Sequence, residues 1–167
     1  MNDQPSATWI LPPLNEVLAT LRQRGITLPA GNPRVGAFGD SEQLSEELLD
    51  LICRGKKRGG ACLVWSYEAE GEALPQAGDI EIVLDHRNEP ALICRTTKVE
   101  IKPFGDVGAD FAAVEGEGDG SLEYWRREHW RYFTRECARL GREPSETMLV
   151  VCETFEVLQQ LRQPGQA

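Results

Sequence analysis

Two short runs of this chain carry residue types that can do chemistry. Glu115-Gly116-Glu117-Gly118-Asp119-Gly120 sets three carboxylates at alternate positions among glycines. Carboxylates so placed could hold a divalent cation, pair with a basic partner, or take a proton from a nucleophile. They read equally as a solvated acidic loop in which Asp119 or Ser121 caps the helix that follows. The alternation does not match the spacing of a calcium-binding loop, and no metal is expected. The second run is Arg54, Lys56, Lys57 and Arg58, a local reversal of field in an acidic chain. Lys57 could bind a phosphate or carbonyl oxygen, or act as a base if burial lowered its proton affinity. Gly59-Gly60 would let a ligand come close to the backbone. The plainer alternative is a set of cations answering the dipole at a helix C-terminus.

Other reactive types are scattered. Trp65, Tyr67, Tyr124 and Trp125 could stack on bases, although Trp125 falls on an apolar helix stripe and reads as core. A strand through Ala61–Trp65 would put Trp65 and Tyr67 on one side. His129 lies on the same stripe as Trp125 and reads as a hydrogen-bonded structural residue; His86 falls in a turn and reads as exposed. No Ser/His/Asp arrangement is visible. Cys62 sits beside the cations, which would favour a thiolate, but it is embedded in an apolar run and reads as a buried thiol.

Composition bounds the rest. The chain has 167 residues and a net charge of −9. A domain this acidic repels a phosphate backbone at long range, which argues against tight, non-specific binding of long nucleic acids and leaves small nucleoside ligands open. The five cysteines are widely spaced, without a CxxC or Cys/His cluster, so they read as reduced thiols rather than zinc ligands or disulfides. No window reaches the ~18 apolar residues of a membrane span, and the start lacks a basic segment before an apolar run. A cytoplasmic protein that meets no membrane is expected, and no cofactor is implied.

The elements that must position these residues follow from periodicity. Residues 1–8 read as a flexible lead-in. Leu14, Val17, Leu18 and Leu21 mark a first helix. A second runs through Leu44, Leu48, Leu49 and Ile52, with Asp40 as cap and Gln43 reaching back. Strands are expected over 61–65, 79–84 and 91–101, the last two joined at Arg87-Asn88-Glu89-Pro90. A short helix over 106–114, the acidic loop, a long helix from Ser121 to Leu140 and a strand over 148–158 complete the order. The class is α+β, with the strands curled into a small barrel flanked by helices.

Four pieces of sequence resemble the ASCH family, a relative of the PUA-like RNA-binding barrels. They are Phe38-Gly39-Asp40; Gly55-Lys56-Lys57 with Trp65 and Tyr67; Leu74-Pro75, Gly78-Asp79, Thr96-Thr97 and Pro103-Phe104; and the run from Glu115 to Asp119 with Ser121-Leu122, Tyr124-Trp125-Arg126 and His129. The resemblance implies an ASCH domain over residues 36–158, an N-terminal extension with one helix over 1–35, and a flexible tail over 159–167. It also implies a cleft beside the first helix-to-strand turn and a nucleic-acid or nucleoside ligand. The family motif runs Gly-x-Lys-x-x-Thr-x-Arg, with Ser in the last place in this branch. Here Lys57 keeps the lysine, while Gly60 stands at the threonine and Cys62 at the last place. In amidohydrolase members a Thr, a Lys and a Glu work together, and the resemblance aligns that Glu near Arg95.

Lys57 and Glu117 are therefore the candidate catalytic pair. Lys56, Arg58, Trp65, Tyr67, Arg95, Glu115, Asp119, Ser121 and Tyr124 are candidate ligand contacts. The resemblance implies a module that binds, and could cleave, single-stranded RNA. The alternatives are an amidohydrolase acting on N4-acylated cytidine-type nucleosides and a non-catalytic RNA-binding or regulatory module. The partner in each case is RNA, a nucleoside or a nucleotide.

Overall fold

The computed structural model describes residues 10–162 of the chain. The lead-in expected over residues 1–8 and the last five residues of the expected tail lie outside the described residues. In chain order the elements are α1 (Leu14–Gln23), β1 (Pro33–Ala37), α2 (Glu42–Cys53), β2 (Gly59–Leu63), α3 (Val64–Glu70), β3 (Ile80–Leu84), β4 (Pro90–Pro103), a 3-10 turn (Phe104–Asp106), α4 (Ala109–Glu115), α5 (Leu122–Arg139) and β5 (Leu149–Gln160). The strands follow the order β1-β3-β4-β5-β2. The class is the α+β class expected. No helix among the described residues is long and apolar enough to cross a membrane.

The chain divides into two compact units. The first holds residues up to Arg54, Gly78–Arg95 and the chain from Val157 onward. Its sheet pairs β1 parallel with β3 and β3 antiparallel with β4. Val17 and Leu21, four apart on α1, meet Ile82 and Leu84 of β3, two apart on a strand, so helical and strand periods fit at one apolar contact. The β3–β4 turn closes on Asp85, whose Oδ1 accepts from the amides of Arg87 at 2.8 Å and Glu89 at 3.0 Å, an Asx turn. Asn88 takes the left-handed conformation there, φ 60°. Residues 159–160 continue β5, and the Leu161 amide donates to the Ala91 carbonyl at 2.8 Å.

The second unit holds Gly55–Ala77 and Thr96–Glu156. Here β2 pairs antiparallel with β5, Ala61 opposite Cys152 and Leu63 opposite Val150. These four share one face by the period of two. That face packs against Phe111 and Ala112 of α4, Trp125, Phe133 and Cys137 of α5, and Phe104. The stripe Trp125, His129, Phe133, Cys137 is the buried side of α5. Trp125 stacks on Phe104 with ring centroids 5.5 Å apart. Truncating one such ring to alanine costs about 3–5 kcal/mol.

Three elements depart from the sequence expectation. Residues 33–37 form β1, whose Pro and Gly disguise a strand at the end of the strand order, paired with β3. The first barrel strand ends at Leu63, and Val64–Glu70 turn into α3, closed by Gly71 at φ 67°. Trp65 and Tyr67 therefore do not share a face, because two helical residues two apart point in nearly opposite directions. The α2 cap is Ser41, whose Oγ accepts from the Leu44 amide at 3.2 Å. Asp40 does not cap it, and the Gln43 side chain bonds Glu47 instead.

Candidate functional site

Lys57 is the origin of the site. It lies in the linker between α2 and β2, flanked by Lys56, which is exposed, and Arg58, which is half-buried. The Arg58 amide donates to the Val114 carbonyl at 2.9 Å and its carbonyl accepts from Phe155 at 3.0 Å. These bonds pin the linker to α4 and β5. The Lys57 side chain is turned inward and only 1% exposed, so the run of cations is not one surface patch.

The partners of Lys57 come from the end of α4. Glu115 is its last residue, and Gly116 closes the helix in the left-handed region at φ 61°. Any side chain at Gly116 would put a Cβ 2.0 Å from the Lys56 carbonyl oxygen. Gly118, at φ 57°, lies flat against the Tyr124 ring, where a Cβ would fall 2.4 Å from ring carbons. The two glycines thus let the loop pass between the Lys56 backbone and Tyr124, and this brings both carboxylates to one ammonium. Lys57 Nζ donates to Glu115 Oε2 at 2.8 Å and to Glu117 Oε1 at 2.6 Å. Glu115 Oε1 accepts from Trp125 Nε1 at 3.0 Å and lies 3.3 Å from His129 Nε2. Trp125 and His129, one helical turn apart, thus address the same oxygen.

The electrostatics separate the two acids. Burial alone would raise Glu115, but the Lys57 ammonium and then His129 outweigh it and hold the carboxyl well below the usual carboxylate range. Burial raises Glu117, Lys57 opposes, and the neighbouring Glu115 charge raises it further, leaving it above its ordinary value. Burial pulls Lys57 down, yet Glu115 and Glu117 more than compensate and its affinity for a proton ends above the ordinary lysine value. The cluster is thus a fixed ammonium, a fixed carboxylate and a proton-hungry carboxylate. Glu117 is 18% exposed, against 1% for Lys57 and Glu115. Two carboxyl groups with diverging proton affinities are the arrangement from which acid–base roles are assigned.

Glu115, Glu117 and His129 have ligand atoms within 4.8 Å of one another. The Lys57 ammonium already lies against both carboxylates, so the cation of this cluster is a lysine rather than a metal.

The other candidates take varied places. Ser121 caps α5, its Oγ accepting from the Tyr124 amide at 3.1 Å, and Asp119 Oδ1 accepts from the Ser121 amide at 2.9 Å. Asp119 is exposed. Tyr124 is half-buried, with the Arg127 guanidinium 5.1 Å from its ring centre. Trp65 packs against the core of the second unit, with the Arg142 guanidinium 4.7 Å from its ring centre. Tyr67 is half-buried on α3. Arg95 belongs to the first unit, opposite Ile80, while the two acids that meet Lys57 are the last residue of α4 and a residue of the loop after it. Gly60 faces Glu153 across β2–β5 and brings no hydroxyl. Cys62 is half-buried. Burial pushes the Cys152 thiol up to about 12. The sequence reading missed that Trp125 and His129 ligate Glu115; their spacing of four on one stripe was the available signal. His86, expected in the open, is half-buried.

The fold places the chain among the PUA-like α+β domains. The ASCH domain family model matches residues 34–159, and the chain belongs to the ASCH domain family. It is similar to the ASCH domain of Lactobacillus crispatus JV V101, with 35% identity, 86% of this chain and 90% of that one covered, and a TM-score of 0.71. It is also similar to a protein of Enterococcus faecalis V583, with 34% identity, 88% of each chain covered and a TM-score of 0.72. No curated protein matches the chain significantly.

Proposed function

We propose that the protein is a nucleoside-directed hydrolase in which Glu117 is the general base, acting on uncharged N-acylated nucleosides of the cytidine type. The observation that carries this reading is the state of Glu117: partly exposed, 2.6 Å from a buried ammonium, and with its proton affinity raised. A carboxylate whose affinity for a proton is raised is the better suited to take one from a nucleophile. With Gly60 in place of a hydroxyl residue, the nucleophile is water. Glu117 takes its proton as the oxygen attacks the acyl carbon, and returns that proton to the departing amine as the C–N bond breaks. The products are a free carboxylic acid and the unmodified nucleoside. Lys57 stays charged throughout and holds Glu117 in place. The cluster's two carboxylates disfavour phosphate beside them, which suits a neutral nucleoside better than a polymer backbone.

A second reading, binding of single-stranded RNA, is favoured by the exposed Lys56. One assay separates the two: release of cytidine from N4-acetylcytidine, alongside RNA affinity measured over a range of salt. The hydrolase reading expects turnover that falls by about 10²–10⁴ in Glu117→Gln. Absence of turnover at high enzyme concentration, together with salt-sensitive RNA binding weakened by Lys56→Ala, would replace it with the RNA reading.

A further inference from the structure

The charged side chains of the cluster form a line. His129 faces Glu115, Glu115 faces Lys57, and Lys57 faces Glu117. The geometry restricts the state of His129. Its Nδ1 lies 2.9 Å from the Trp125 carbonyl oxygen, which only accepts, so Nδ1 carries a hydrogen. Its Nε2 lies 3.3 Å from Glu115 Oε1, and an ionised carboxylate also only accepts. Both contacts attract together only in the imidazolium. In the neutral ring, the Nε2 lone pair is turned against a carboxylate oxygen. The Trp125 indole lies flat on the ring, centroids 4.1 Å apart and planes 13° apart, and its π-face favours a cation. Glu128, adjacent on α5, carries a further negative charge that His129 influences.

Charge counting gives the consequence. With His129 as imidazolium, two cations balance the carboxylates of Glu115 and Glu117. When the ring loses its proton, one ammonium is left against both carboxylates in a buried volume. Such an excess is relieved by a proton on one carboxyl. Glu115 is held by donors on both oxygens, which leaves Glu117 as the acceptor. The charge on His129 also acts to lower the proton affinity of Glu117.

We propose that the charge on His129, at the far end of the line through Glu115 and Lys57, favours the ionised form of the Glu117 carboxyl. His129 is then a positioning residue that never touches substrate. The proposal deepens the reading of Glu117 as the proton-transferring group, and rests on that reading only for its consequence in turnover.

The test needs no substrate. The protein is labelled with ¹³C at glutamate side-chain carboxyls, and the Glu117 signal is assigned by its absence in Glu117→Gln. In folded His129→Gln, the Glu117 midpoint is expected to move up by about one pH unit relative to wild type. An unmoved midpoint overturns the proposal. Should His129→Gln fail to fold, as judged by near-ultraviolet circular dichroism, a second variant decides. The Glu117 signal is then followed in wild type and in His129→Asn, where the same upward movement is expected and an unmoved midpoint overturns the proposal. A moved midpoint in a protein that does not hydrolyse acylcytidines would sink the hydrolase reading alone.

Discussion

Two clusters in this chain use nearly the same residues and do different work. Lys57, Glu115, Glu117 and His129 form one, within the second unit. Arg162, Glu42, Glu46 and His86 form the other, within the first. In the second set, Arg162 grips Glu46 with bonds of 3.1 and 2.7 Å. His86 Nδ1 lies 2.9 Å from Glu46, and its Nε2 lies 3.1 Å from Glu42. Each set has a cation, two acids and an imidazole. They differ in water. In the Arg162 set every member reaches solvent, from 12% for Arg162 to 75% for Glu42. There the Arg162 hydrogen bond outweighs burial and simply lowers Glu46. In the Lys57 set, burial raises both carboxyls; Lys57 and His129 overcome it at Glu115, which ends below its ordinary value, while Glu117 stays above. Similar side chains make a fastening where solvent screens them, and a set of carboxyls with diverging proton affinities where it does not.

The largest expected effect tests that distinction directly. Lys57→Met keeps the volume but strands two buried carboxylates, and is expected to cost about 3–5 kcal/mol in urea unfolding. Arg162→Met, at the better solvated pair, is expected to cost about 1 kcal/mol or less. Equal losses would mean that burial does not separate the clusters.

Next comes pH. Glu115 is depressed in the fold, so its contribution is present above the unfolded carboxyl value, roughly 4.3, and is lost as pH falls through the lower folded value. Glu117 is raised, so acidification toward its folded value works the other way and stabilises. Lys57 is raised, so its contribution is complete below the unfolded lysine value, roughly 10.4, and is lost as pH rises through the higher folded value. Stability curves against pH for wild type and Glu115→Gln should diverge most near neutral pH and converge in acid. Parallel curves across the acid range would refute the assignment of the low value to Glu115.

Much of this was legible in the sequence. The strict apolar stripes of α1, α2 and α5 marked those helices, and the run Arg87-Asn88-Glu89-Pro90 marked the β3–β4 hairpin. Lys57 and the Glu115–Asp119 loop were visible as chemistry. Their pairing was expected, but the route to it was not legible, because it rests on Gly116 and Gly118 passing between the Lys56 carbonyl and the Tyr124 ring, a tertiary fact no periodicity encodes. α3 was misread because Val64, Trp65 and Tyr67 favour strands locally, and only the packing of Trp65 on the core and the Gly71 cap overrule that preference.

The loop itself offers the next test. Gly118→Ala must place a Cβ against the Tyr124 ring in a left-handed backbone, with a strain of about 1–2 kcal/mol from the backbone alone and a steric term on top. Gly71→Ala, at φ 67° with nothing within 4 Å of the Cβ, carries only the backbone strain. The excess cost at Gly118, read from unfolding midpoints, should shrink in the Gly118→Ala, Tyr124→Ala double variant. An unchanged excess would mean that Tyr124 does not hold the loop.

The smallest effect is expected at the solvated cluster. Glu42→Gln removes a 75%-exposed carboxylate facing His86 Nε2. Water already solvates that charge and salt screens it, so the change should shift stability by under ~1 kcal/mol. The shift should fade further as salt is raised, since the screening length falls to about 3 Å at 1 M. The Glu117 carboxyl titration should not move at all, since Glu42 takes no part in the line from His129 to Glu117. Unfolding curves at low and high salt, beside the same carboxyl-labelled titration, measure both quantities in one variant. A Glu42→Gln cost that rivals Lys57→Met and survives 1 M salt would show that the Arg162 set is as desolvated in effect as the Lys57 set. Residue type, not solvent, would then have to explain why only one of them drives its acids apart.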